Sequence, residues 1–147
     1  MKQSTIIDII SPIMAGPSSS HTAGAIRLGL MAKNIYNGKI KSVTFRLYNS
    51  FALTGKGHGT DKGLLAGLLG LAVDDSRIKN IFNSDIAKQF DYNYEYAQDF
   101  NRHPNAVDFT IDGENGRMII SGESVGAGEI AIRKINDFTV KLTGKYN

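Results

Sequence analysis

The run Val107-Asp108-Phe109-Thr110-Ile111-Asp112-Gly113-Glu114-Asn115-Gly116 carries the clearest strand signal in the chain. Apolar Val107, Phe109 and Ile111 alternate with polar Asp108, Thr110 and Asp112. That period of two gives a strand one buried face and one wet face. Gly113-Glu114-Asn115-Gly116 supplies turn-forming residues, and 117–121 read as the returning strand of a hairpin. Further on, 129–134 predict another strand, and Phe138, Val140 and Leu142 alternate toward the C-terminus. The second half of the chain is therefore read as mainly antiparallel β.

Upstream the pattern mixes. Val43, Phe45 and Leu47 alternate with Ser42, Thr44, Arg46 and Tyr48, a half-buried strand. A helix is predicted from about Ala23 to Tyr36, stopped by Asn37-Gly38, and Ala23-Gly24-Ala25 would let another backbone approach closely. Leu64, Leu65, Leu68 and Leu69 keep helical spacing before Gly70. A short helix is expected where Ser4 and Thr5 precede Ile6, Ile7, Ile9 and Ile10, ending at Ser11-Pro12. Between these, 49–61 read as a second glycine-rich loop, 76–82 as a turn and 84–90 as a helix. Tyr92, Tyr94 and Tyr96 are given to packing, with no element assigned. The fold class expected is α+β, one domain over 1–147, with helices packed on one face of a mainly antiparallel sheet.

Composition excludes several classes. With 147 residues, 41% hydrophobic and 21% charged, the chain can bury about two-thirds of its unfolded surface and needs no staples. It has no cysteine, which excludes a disulfide framework, a thiol nucleophile, and any cysteine-held zinc or iron–sulfur site within this chain. The net charge of +3 is a mild and scattered excess, so no nucleic-acid footprint is read. No signal peptide or membrane span is expected, and a cytoplasmic location is the working expectation.

Two loops stand out, each carrying one histidine and opening onto a helix. The first is Gly16-Pro17-Ser18-Ser19-Ser20-His21-Thr22. Its hydroxyls and the free amides of a first helical turn could surround a carboxylate or phosphate, although a plain helix cap is the simpler reading of any one serine. The second is Gly55-Lys56-Gly57-His58-Gly59-Thr60-Asp61. Glycines on both sides leave His58 uncovered, and an imidazole with a pKa of about 6.5 suits general base work. Neither standard nucleotide-loop spacing is met. His103, in Asn101-Arg102-His103-Pro104-Asn105, is either a structural turn or part of a site lining. A zinc site from His21, His58 and His103 is disfavoured, because no pair has short ligand spacing.

In order and spacing, 16–24, 55–61 and His103-Pro104-Asn105 resemble the signature of the β chain of bacterial iron–sulfur-dependent L-serine dehydratase, and the likeness extends over essentially the whole chain. It implies an L-serine ammonia-lyase that forms pyruvate without pyridoxal phosphate. A [4Fe–4S] cluster would be ligated by a partner α chain and not by this one, and would act as Lewis acid on the substrate hydroxyl. The implied fold is that of the allosteric substrate-binding domain of some phosphoglycerate dehydrogenases. An ACT-type domain that commonly follows the β region is expected to be absent or trimmed here. By matching the family's catalytic histidine, His58 is the candidate base. Ser18, Ser19, Ser20, His21 and Thr22 would hold the substrate carboxylate. Lys56, Gly57, Thr60, Asp61, His103 and Asn105 would line the same pocket, with Asp61 orienting a donor or capping a helix. No metal ligand is assigned. The expected partners are the α chain and L-serine, with a homodimer left open. The alternative is a non-catalytic domain of the same fold that binds serine or a small anion. A pyridoxal enzyme built on Lys56 is disfavoured by chain length.

Overall fold

The structure, a computed structural model, describes residues 20–55, 59–126 and 129–145, with the side chains of 20, 21, 144 and 145 left aside. The predicted helix at residues 4–10 lies outside the described residues. The elements in chain order are α1 (Ser20–Tyr36), β1 (Ile40–Tyr48), α2 (Asn49–Gly55) and α3 (Gly59–Leu68). Two 3₁₀ turns follow, Ser76–Asn83 and Ile86–Gln89. Then come β2 (Asp91–Ala97), β3 (Asn105–Gly113), β4 (Gly116–Gly126), β5 (Glu129–Ile135) and β6 (Phe138–Lys145). All the strands join one sheet in the order β2-β1-β3-β4-β5-β6. Only the β1–β2 pair is parallel. The α+β class with a mainly antiparallel sheet is therefore as expected.

The alternation read from the sequence sorts the two faces of the sheet. Val43, Phe45 and Leu47 of β1 and Val107, Phe109 and Ile111 of β3 are buried beneath the helices. The opposite face carries ion pairs instead, including Arg46 with Glu95 at 2.9 Å and Arg117 with Asp112 at 2.9 Å. Helices on one side and charge on the other make a two-layer fold.

Inside the helical layer, α1 and α3 lie almost backbone to backbone. A Cβ placed on Gly67 would strike the Ile26 carbonyl and come within 2.8 Å of the Leu30 nitrogen. One on Gly29 would meet the Leu68 nitrogen at 2.7 Å, and one on Gly63 would meet the Thr22 carbonyl at 2.9 Å. The pairs 22 with 63 and 26 with 67 advance together, so the two helices run parallel and start side by side. The small stretch at 23–25 contributes as expected, but its partners differ. Ala25 faces Gly63, whereas Gly24 is pressed against the side chain of Ser124 on β4.

The hairpin turn has a second task. Asn115 donates from Nδ2 to the carbonyls of Tyr36 (2.8 Å) and Asn37 (3.2 Å), oxygens that the end of α1 leaves without helical partners. The Tyr36 hydroxyl donates to the Gly116 carbonyl at 2.7 Å and accepts from the Asn115 amide at 2.9 Å. Asn37 itself takes the left-handed conformation, φ 50°, that ends the helix. Replacing Asn115→Ala removes both side-chain bonds and should destabilise the fold by about 1–2 kcal/mol in urea titration, with the m-value unchanged.

Three expectations need correction. The predicted loop at 49–61 begins as helix α2, because Asn49 at φ 56° turns the chain straight out of β1 and Phe51, Ala52 and Gly55 then form one buried face. The tyrosine segment is strand β2, in parallel register with β1 (Phe45 opposite Tyr94). The helix expected at 84–90 is only the short 3₁₀ turn Ile86–Gln89.

Candidate functional site

The candidate residues that the structure describes gather at one end of the sheet, where β1 and β2 finish and β3 begins. Because α1 and α3 are parallel, their N-termini meet at this same end. Gly59 opens α3 four residues before Gly63, which touches Thr22, so the two helix starts are level. Parallel neighbours put the positive ends of two helix dipoles together, an arrangement that repels itself and attracts an anion. Both loops singled out in the sequence lead into this place. Ser20 and His21 form the backbone of the first turn of α1. Ser18, Ser19, Lys56, Gly57 and His58 lie outside the described residues.

Thr22, Thr60 and Asp61 are buried here. The hydroxyls of Thr54 and Thr60 are hydrogen-bonded at 3.1 Å, which links the end of α2 to the start of α3. Asp61 sits in the first turn of α3, where a carboxylate suits the dipole. Its burial would still be costly without donors. The Tyr96 hydroxyl donates to its Oδ2 at 2.5 Å, and the Tyr94 hydroxyl donates to its main-chain carbonyl at 2.7 Å. Burial, together with the Asp61 charge, pushes the Tyr94 phenol far above its ordinary range. Burial and the hydrogen bond to Asp61 push Tyr96 the same way. Both phenols therefore keep their protons, and their donor role, at neutral pH. The tyrosines read as packing thus carry a polar task as well, and their spacing of two was the signal.

His103 and Asn105 lie at the other end of α2. Asn49, absent from the sequence-derived candidates, organises them. Its Nδ2 donates to the carbonyls of Asp99 (2.9 Å), Arg102 (3.2 Å) and His103 (3.1 Å), while its Oδ1 accepts from the Asp99 amide at 2.9 Å. The Phe51 amide reaches the Pro104 carbonyl at 3.3 Å. The Asn105 amide donates to His103 Nδ1 at 2.9 Å. His103-Pro104-Asn105 is thus held by local hydrogen bonds as a turn leading into β3. A helix the length of α2 spans roughly 10 Å at 1.5 Å per residue. His103 and Asn105 stand beside Asn49 at the start of α2, and Thr60 stands beside Thr54 near its end. The one signal for Asn49 in the sequence is an asparagine directly after a strand, a residue that tolerates positive φ.

Behind this turn Arg102 pairs with Asp108 at 2.9 Å and lies over the Tyr48 ring, 4.2 Å from its centre. The Tyr48 hydroxyl donates to the same carboxylate at 2.7 Å. Burial opposes ionisation of Asp108, but hydrogen bonds from Arg102, Tyr48 and Ser121 outweigh it and hold the carboxyl below its usual value. A lowered pKa means that the ionised group adds stability above the unfolded value of about 4. That contribution is lost as pH falls through the lower folded value. Asp108→Asn should therefore lower stability at pH 7 and flatten its decline between pH 5 and pH 3 in thermal melts. An unaltered acid decline would contradict the assignment.

Comparison with known proteins gives the family. The family described as "Serine dehydratase beta chain" matches residues 5–134. A protein of Bacillus subtilis (strain 168) named "Probable L-serine dehydratase, beta chain" is 40% identical over 146 residues, covering 99% of this chain and 66% of the relative. The "L-serine dehydratase, beta chain" of Peptoniphilus asaccharolyticus is 40% identical over 151 residues, covering 100% of this chain and 67% of the relative. "L-serine dehydratase 2" of Escherichia coli (strain K12) is 39% identical over 83 residues, 52% of this chain but only 18% of the relative. The chain thus spans about two thirds of the beta-chain relatives it matches, and it belongs to the serine dehydratase beta chain family.

Proposed function

We propose that this chain is the β component of an L-serine ammonia-lyase that works with an α chain. The observation that supports it best is the level, parallel start of α1 and α3, with His21 in the first turn of α1 and His58 directly before Gly59 in the sequence. In this reading the substrate carboxylate lies at the paired N-termini, held by first-turn amides and by Ser18, Ser19, Ser20, His21 and Thr22. Lys56, Gly57 and Thr60 line the pocket, and His58 takes the proton from Cα. Loss of that proton and of the β-hydroxyl as water leaves an enamine. It tautomerises to an imine, and water hydrolyses the imine to pyruvate and ammonia. Positioning and proton removal are this chain's share, and a general base contributes typically 10²- to 10⁴-fold.

The chain does not itself fit an iron–sulfur cluster. It has no cysteine, and among the described residues no group of three or more His, Asp or Glu is placed to hold a metal. A [4Fe–4S] cluster would therefore belong to the α chain. Among the described residues no helix is long and apolar enough to cross a membrane.

The test is to assay pyruvate from L-serine with this chain alone, and after anaerobic assembly with a cluster-loaded α chain. The assembled pair should turn over and the lone chain should not. A verified pair that makes no pyruvate, while the lone chain binds serine or phosphate, would move the assignment to a non-catalytic binding domain.

A further inference from the structure

In the sheet order β2-β1-β3, the connection from β2 to β3 has to pass across the end of β1. Residues 98–104 make that crossing, and Asn49, the first residue after β1, stands where they cross. An irregular segment carries main-chain carbonyls with no ladder to pair them, and those turned away from water need donors. Asn49 supplies them. Its Nδ2 donates to the carbonyls of Asp99, Arg102 and His103 at 2.9, 3.2 and 3.1 Å, and its Oδ1 accepts from the Asp99 amide at 2.9 Å. The Arg102 and His103 carbonyls belong to the two peptide planes on either side of the His103 Cα. One side-chain amide therefore holds the backbone of His103 from both sides. Asn49 also forms a bridge with Asn105, whose amide donates to His103 Nδ1 at 2.9 Å. Two demands together select the residue type. The chain leaves β1 at φ 56°, which glycine, asparagine and aspartate tolerate. Of these, only asparagine also brings side-chain N–H donors.

We propose that Asn49 is a positioning residue of the reaction, acting through His103. The kinetic arm of the test rests on the lyase reading, in which His103 lines the substrate pocket, and a spectroscopic arm does not need that reading. A misplacement on the order of 1 Å can cost about 10²-fold in rate. Asn49→Gly leaves the backbone free to take positive φ and removes all four side-chain bonds. In the assembled pair it should lower kcat/KM about 10-fold or more. Asn49→Asp keeps an acceptor for the Asp99 amide but has no N–H. It should lose as much, and it decides the matter if the glycine variant does not fold. Asn115→Ala is the control for stability. It too takes an asparagine amide from two main-chain carbonyls, at the opposite end of the sheet, and should leave kcat/KM unchanged. In the double variant Asn49→Gly/His103→Gln, the loss should be no larger than in His103→Gln alone, because both changes remove one route. In the uncomplexed chain, the imidazole NMR resonance of His103, assigned with His103→Gln, should shift or broaden in Asn49→Gly and stay in place in Asn115→Ala.

An unchanged kcat/KM, or a loss no greater than that in Asn115→Ala, would overturn the proposal. So would losses that multiply in the double variant, or an unmoved His103 resonance. A pair in which even the unaltered chain is inactive refutes the lyase reading instead, and the resonance comparison then decides by itself whether Asn49 sets His103.

Discussion

His58→Ala, assembled anaerobically with the same α chain as the unaltered protein, should lose pyruvate formation by about 10²- to 10⁴-fold, the usual contribution of a placed base. Affinity for the α chain should not change, since the substitution removes an imidazole between two glycines. The loss should also appear mainly in kcat if, as proposed, the starts of α1 and α3 hold the carboxylate. Equal turnover by both proteins would put the base in another group, His21 or a residue of the α chain. An equal fall in partner affinity would make the histidine an assembly residue.

The second large effect concerns the helix pair that creates the site. At an ordinary helix position Gly→Ala raises stability by roughly 1 kcal/mol. At Gly67 the sign should reverse. The atoms that a new Cβ meets are the main chain of Ile26, Gly29 and Leu30, which cannot rotate away. Overpacking costs typically 1–3 kcal/mol and occasionally more. Gly67→Ala should be destabilising despite its better propensity, and Gly67→Leu should cost about 3 kcal/mol or more, roughly 10 °C in Tm for a domain of this size. Survivors should also lose activity faster than stability, because prising α1 from α3 separates the two N-termini. A stabilised Gly67→Ala would mean that the helices are not in backbone contact.

Much of the architecture was legible because it is local. The alternation at 107–112 and the turn at 113–116 needed no partner to be recognised, and the same period gave β1. Helix α2 was obscured by its company. Its buried face is only Phe51, Ala52 and Gly55, and the glycines that follow gave the whole stretch the look of a loop. Strand β2 was missed for a different reason. Its partner β1 runs parallel to it and is reached only across residues 49–90, a crossover that no local pattern announces. The site divides the same way. Serine, glycine and histidine in two short loops were visible as chemistry. That the loops open onto parallel helices, and that Asn49 and Tyr96 brace their surroundings, are long-range facts. They depend on Gly29, Gly63 and Gly67, whose importance lies in what they touch.

The central claim is that substrate binds where α1 and α3 begin, and hydrogen exchange followed by mass spectrometry tests it most directly. First-turn amides lack helical acceptors and exchange readily until a ligand occupies them. Adding L-serine to the assembled pair should slow exchange in peptides covering 18–24 and 56–63. It should leave the opposite end of the sheet, around Lys39–Lys41 and Lys88–Asp91, unaffected. Slowed exchange at that opposite end, with none at the helix starts, would contradict the account.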